Sequence, residues 1–204
     1  GVIAAQHNNR IGISGVATDV RLYGFDRCGK EIGESMQEKY ALLNLIINDV
    51  RVINMSFGYD RIELKVGATM GNRNAIQYID ADAKIKGEFL NKLLDMGYDY
   101  VLVCAAGNDT DDYVVRDDNA TYGFVPYDGD EHSYSQILEG EYVDARFGSE
   151  YTAISKWDYP DVYDRIITVG AMSHSYFATD NIIQYRVSEY SNRGARIDVV
   201  APAD

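Results

Sequence analysis

Short apolar runs alternate along this chain with longer segments whose apolar residues recur every three to four positions. That alternation restricts the fold more than any other feature of the sequence. "VRLYGF" (20–25) reads as a strand closed by the polar turn "DRCGK". A helix is expected next, with Ser35 and Glu38 at capping-box spacing and Met36, Tyr40, Leu43, Ile47 and Val50 at helical intervals. "RVINMSF" (51–57) reads as a short buried strand ending at Gly58. A second helix is predicted over about 82–96, where Ile85, Phe89, Leu93 and Met96 share a face and Gly97 supplies the stop. "YVLVCAA" (100–106), "RIITVGAM" (165–172) and "RIDVVAP" (196–202) complete the predicted strands. Strands that alternate with helices of this size form parallel crossover units. The expected fold class is therefore α/β: a doubly wound, mostly parallel sheet with helices on both faces.

One segment breaks the rhythm. From Asp109 to Asp164 there are 15 acidic residues against Arg116, Arg146 and Lys156, a net charge of −12 out of −13 for all 204 residues. The same segment holds eight of the 17 tyrosines and no long periodic run. It reads as an acidic, tyrosine-rich insertion with some order of its own, because structureless loops of that length are uncommon inside a compact domain. A second, smaller insertion is expected at about 59–80. Charge of this sign argues against nucleic acid and against an anionic membrane surface as partners. No apolar run approaches the length of a membrane-spanning helix. Of the two cysteines, Cys104 sits in an apolar strand and reads as a small buried hydrophobe rather than half of a bridge.

Two strand ends draw attention to chemistry. "NMSFGY" and "CAAGND" finish on small residues, which let a backbone or ligand approach closely. Ligands of open parallel sheets gather at such carboxyl ends. "VLVCAAGND" in addition presents one carboxamide, Asn108, where the apolar run stops. Taken alone, "AGN" is also what a turn-capping asparagine looks like.

In order along the chain, "GVIAAQHNNRIGISGVATDVRLYGF", "VINMSFG", "VLVCAAGND", "IITVGAMS" and "YSNRGARIDVVAPAD" resemble five segments of the subtilisin-like serine proteases. The resemblance covers most of the chain outside the insertions. It implies that residues 1–204 are an incomplete subtilisin-like protease domain whose parent is a serine endopeptidase working through an acyl-enzyme. It implies that Asn108 is the oxyanion-hole donor. Ser56, Phe57 and Gly58 would pair with the substrate backbone as an added strand. Phe57 and Cys28 would line an upstream pocket, and Gly33 would lie near the opposing substrate edge, with spacing that differs by one residue. Ala105, Ala106 and Gly107 would form one side of the primary pocket, with Asp109 near its mouth, where an acid favours a basic residue. "NNRIGISG" is similar to the family's calcium loop, which makes Asn9 and the carbonyls of Ile11 and Ile13 candidate ligands; His7 disturbs the spacing. No cofactor is required; the loop offers a candidate site for a structural calcium only. Export or attachment to the cell envelope is the location the resemblance suggests.

The aspartate and histidine motifs of that family would fall before Gly1 and the serine motif beyond Asp204. His7, His132 and His174 match no family base position, and "GISG" (12–15) lacks the spacing of a nucleophile elbow. The chain by itself is expected to be inactive. The alternative is a non-catalytic relative that only binds peptides. A phosphate-binding α/β domain using "AAGND" is a third reading, without a Walker or GxGxxG pattern to support it.

Overall fold

The computed structural model describes residues 2–26, 34–58, 72–108, 148–177, 182–192, 194 and 196–203. The chain divides into two compact units, Gly1–Val50 and Arg51–Asp204.

In the first unit, Gly15, Val16 and Ala17 donate backbone hydrogen bonds to the carbonyls of Ala5, Val2 and Ile3, folding the start of the chain into a closed turn. Helix α1 (Glu34–Ile47) follows. Its end is a left-handed cap: Asp49 has φ 63°, Asp49 N bonds Ile46 O, and Val50 N bonds Leu45 O. Its buried residues are Glu38, Ala41, Leu42 and Ile46, whereas Met36, Tyr40 and Ile47 point outward. The sequence pattern thus marks the face opposite the buried one. The expected strand at 20–25 does not form: residues 20–26 are exposed and outside any sheet. Among the described residues the first unit holds no strand to pair with it, and an apolar run makes a strand only against a ladder partner.

The second unit is built on a five-stranded mixed sheet: β1 (Val52–Met55), β2 (Val101–Ala105), β3 (Ile166–Phe177), β4 (Ile182–Val187) and β5 (Val199–Pro202). β1–β2, β2–β3 and β3–β5 are parallel, as expected, while β4 runs antiparallel to the outer half of β3. Ala106 N bonds Val169 O and Ser188 N bonds Ala171 O, so β2 and the end of β4 lie one after the other along the same edge of β3. β5 takes the opposite edge, with Asp198 N on Thr168 O and Ala203 N on Met172 O. At Gly170–Ala171, β3 exchanges one neighbour for another.

Helix α2 (Asn72–Asp95) begins ten residues before its predicted start. It ends as expected at Gly97 (φ 86°), where Gly97 N bonds Leu94 O and Tyr98 N bonds Leu93 O. It buries Ile79, Ala83, Lys86, Leu90 and Leu93, spaced alternately by four and three, whereas Ile85 and Met96 face outward. Tyr100, at the start of β2, is buried and donates its hydroxyl to Leu90 O at 3.2 Å, tying helix to sheet.

Residues 148–164, expected as the tail of the acidic insertion, are part of the packed unit. Ser149, Tyr151 and Thr152 are fully buried, and Pro160–Tyr163 forms the single-turn helix α3. The rest of that expected insertion, 109–147, lies outside the described residues. So does 59–71 of the smaller one, while 72–80 belongs to α2. No described helix is long and apolar enough to cross a membrane.

Candidate functional site

The carboxyl ends of β1, β2 and β5 and the middle of β3 open onto a cleft of about 460 Å³, at the point where β3 changes partner. This is where the topology of an open α/β sheet leaves room for a ligand. Ser56 from the end of β1 and Ala105 through Asn108 from the end of β2 share its wall. Gly170 and Ala171 come from β3, and Tyr190 from the loop after β4. Among the described residues lining it there is no Asp, Glu, Lys, Arg or His, so this part of the wall offers neutral dipoles rather than charges.

The tip of β2 is held from several directions. Ala106 N donates to Val169 O, and the carbonyl of Gly107 accepts Asn192 N at 3.1 Å. Gly107 has φ 97°, a left-handed conformation that glycine adopts without strain. A Cβ there would also press on the Gly148 backbone and the Asn192 side chain. One residue further on, Asn108 is exposed at the lip of the cleft, and the described residues place no hydrogen-bond partner on its carboxamide. The backbone bonds of Ala106 and Gly107 thus fix the residues that lead into Asn108. The neighbouring loop is fixed as well: Ser191 Oγ accepts Ala171 N at 3.0 Å, which caps the β3 amide left between β2 and β4.

Among the sequence-predicted residues, Ser56, Ala105, Ala106, Gly107 and Asn108 therefore meet at one site. Ser56 Oγ donates to Asn54 Oδ1 at 3.2 Å within the same strand end. Phe57 is half-buried and does not line this cleft. Gly58 abuts the carbonyl of Gly148, where a Cβ would overlap it. Cys28, Gly33 and Asp109 lie outside the described residues. Cys104 is buried beneath the cleft, as its apolar strand suggested. His7 Nε2 is 2.6 Å from the Gly15 carbonyl, His174 is exposed on β3, and His132 lies outside the described residues.

In the candidate calcium loop, Asn8, Arg10 and Gly12 have φ of 56°, 61° and 64°. Asn9 Oδ1 accepts Ile11 N at 2.9 Å, a turn-stabilising bond that uses one of its lone pairs. Asn9, Ile11 and Ile13 supply three neutral oxygens of the right hard character. Calcium takes six to eight, so these groups would form only part of a shell.

Sequence reasoning passed over Gly148, Tyr190 and Asn192. Each lies in a polar, tyrosine-rich stretch with no periodic signal, and only the fold brings them to the β2 tip.

The architecture is that of an α/β domain with a neutral, peptide-sized cleft at its strand ends and a carboxamide at the lip. The subtilase family model matches residues 1–204, the whole chain, and the protein belongs to the subtilase family. No curated protein and no solved structure shows a significant match to it.

Proposed function

We propose that this chain is the portion of a subtilisin-like serine endopeptidase that holds the substrate backbone and the developing oxyanion. The observation that carries this reading is the exposed Asn108 sharing with Ser56 a cleft at the strand ends of a subtilase domain. An extended peptide adds alongside Ser56–Gly58, which brings its scissile carbonyl over the β2 tip. Attack by a serine hydroxyl of the intact protease turns that carbonyl tetrahedral and its oxygen negative. The Asn108 amide, already aimed, donates to that oxygen without the reorganisation water would require. Collapse expels the amine and leaves an acyl-enzyme, which water then hydrolyses. The histidines of this chain supply no base for these steps, so residues 1–204 alone bind but do not turn over substrate. Calcium has no part in the chemistry; an ion held partly by Asn9, Ile11 and Ile13 would be structural.

The test uses the intact protease and an unstructured peptide, with and without a serine-reactive inhibitor. Hydrolysis abolished by the inhibitor is expected. Asn108→Ala should lower kcat by roughly 10²–10³, about 3–4 kcal/mol, a magnitude known from a member of this family, while KM changes little. Peptide binding without turnover would instead favour the non-catalytic relative. An unchanged kcat in Asn108→Ala would remove the oxyanion role.

A further inference from the structure

Lys86 is a lysine buried between α2 and the segment that holds Glu150 and Tyr151. It sits on the buried face of α2 with its side chain 3% exposed, where an apolar residue would continue the stripe of Ile79, Ala83, Leu90 and Leu93. Its Nζ bonds Asp82 Oδ2 at 2.5 Å, one helical turn back, and Glu150 Oε2 at 2.6 Å, 64 residues away. The Tyr151 ring lies 5.2 Å from the same ammonium. Burial pulls the lysine pKa down, but the two carboxylates outweigh it and hold the group above its ordinary value, so it is charged.

A buried ion cluster of this kind contributes little net stability, because desolvation offsets most of the attraction. What it does well is fix a geometry: Glu150 must sit where the ammonium is. Two residues before Glu150, the Gly148 backbone is wedged between the two strand tips. A Cβ on Gly58 would overlap the Gly148 carbonyl, and a Cβ on Gly148 would overlap the Ala106 carbonyl. Gly148 also packs against Gly107, which carries Asn108. The chain of contacts runs from α2 through Lys86 and Glu150 to Gly148, and from there to the tip of β2.

We infer that Lys86, with Asp82 and Glu150, is a positioning residue for the cleft: it locks the Gly148 wedge that sets the place of the Ala106–Asn108 tip. The inference deepens the reading of Asn108 as a donor and rests on it for its catalytic readout, but not for its structural one.

Two variants test it. Lys86→Met alone takes the ammonium away from two partly buried carboxylates and can fail through instability. The triple variant Asp82→Leu/Lys86→Met/Glu150→Leu removes these three charges together and should recover most of the folding stability. In residues 1–204, hydrogen exchange of the Ala106 and Asn192 amides, which close the tip onto Val169 and Gly107, should quicken about tenfold in the triple variant. Exchange of the Leu102 amide in the strand body should not change. In the intact protease the triple variant should lose about tenfold or more in kcat with KM within about twofold, and Lys86→Arg should retain more activity than Lys86→Met. A stable triple variant with wild-type exchange at Ala106 and Asn192 would overturn the inference. Faster exchange together with an unaltered kcat would leave the lock standing and overturn its catalytic role. Loss of activity in Asn108→Ala is scored separately, so failure of the donor reading and failure of the lock are told apart.

Discussion

Gly148 shows how one missing side chain can hold a site together. The carbonyl of Ala106 occupies the space a Cβ would need, and the Gly148 carbonyl occupies the same space at Gly58. Both obstructing atoms are backbone and cannot rotate away. Gly148→Ala must therefore push the two strand tips apart, and it should destabilise the chain by about 2–3 kcal/mol, as overpacking of a tight interior does. Gly24 makes the contrast: a Cβ there meets nothing within 4 Å, and Gly24→Ala should fall within about 0.5 kcal/mol of the parent. Denaturant midpoints of the two variants check this, and equal shifts would contradict the wedge. Asn108 depends on the same contacts, since its carboxamide is only as well aimed as the Gly107 backbone that carries it.

Helix α2 and strand β2 carry the site, and they were legible to different degrees. β2 was read almost to the residue, because a buried parallel strand is a short apolar run and its small-residue end announces a close approach. The Gly97 stop was equally clear. The first ten residues of α2 were not, since the apolar residues of "NRNAIQYIDA" crowd into 75–81 without a clear helical interval, and the buried face was misplaced because one of its members is Lys86. β4 was missed although Ile183, Tyr185 and Val187 alternate; all three are exposed, so the period was there without the burial that usually explains it. Residues 148–164 looked like insertion because their buried side chains include Ser149, Thr152 and Ser155, which carry no hydrophobic signal. The junction of the two elements also has a pH signature. Burial raises the Tyr100 phenol far above its ordinary value of 10.0, with Arg165 opposing the rise and Asp99 adding to it. A raised acid favours the folded state most below the unfolded pKa, and that contribution is lost as pH rises through the folded one. Lys86, also raised, loses its contribution in the same direction. Stability should therefore be flat up to about pH 10 and fall above it. Tyr100→Phe should be less stable at pH 8 for want of the bond to Leu90 O, yet show a shallower alkaline decline. Urea midpoints at pH 8 and 11 decide it; parallel declines would mean that Tyr100 does not contribute.

Charge is distributed so unevenly that it speaks about encounter rather than folding. Residues 109–147 hold eleven acids against two bases, and the chain enters and leaves that stretch at the same place. Asn108 is at the lip of the cleft, and Gly148 is packed on Ala106 and Gly107 behind it. Asn108 and Gly148, the described residues on either side, both lie at the β2 tip. A net charge of −9 is thus tethered there by both ends, and it would act as a negative field on a cleft that the described residues line with neutral groups. Such a field raises the arrival rate of cationic peptides and does little for the bound state, where neutral dipoles make the contacts. Its reach follows the Debye length, about 30 Å at 0.01 M salt and 10 Å at 0.1 M. For the intact protease, kcat/KM on a peptide rich in Lys and Arg should fall about tenfold between 0.01 and 0.3 M salt, with kcat nearly constant. A neutral peptide of the same length should change less than about twofold. Replacing Asp111, Asp112, Asp117 and Asp118 by Asn should flatten the first curve toward the second without altering kcat. Identical salt slopes for the two peptides would show that the acidic stretch does not face the substrate's approach, and its charge would then need an explanation away from the cleft.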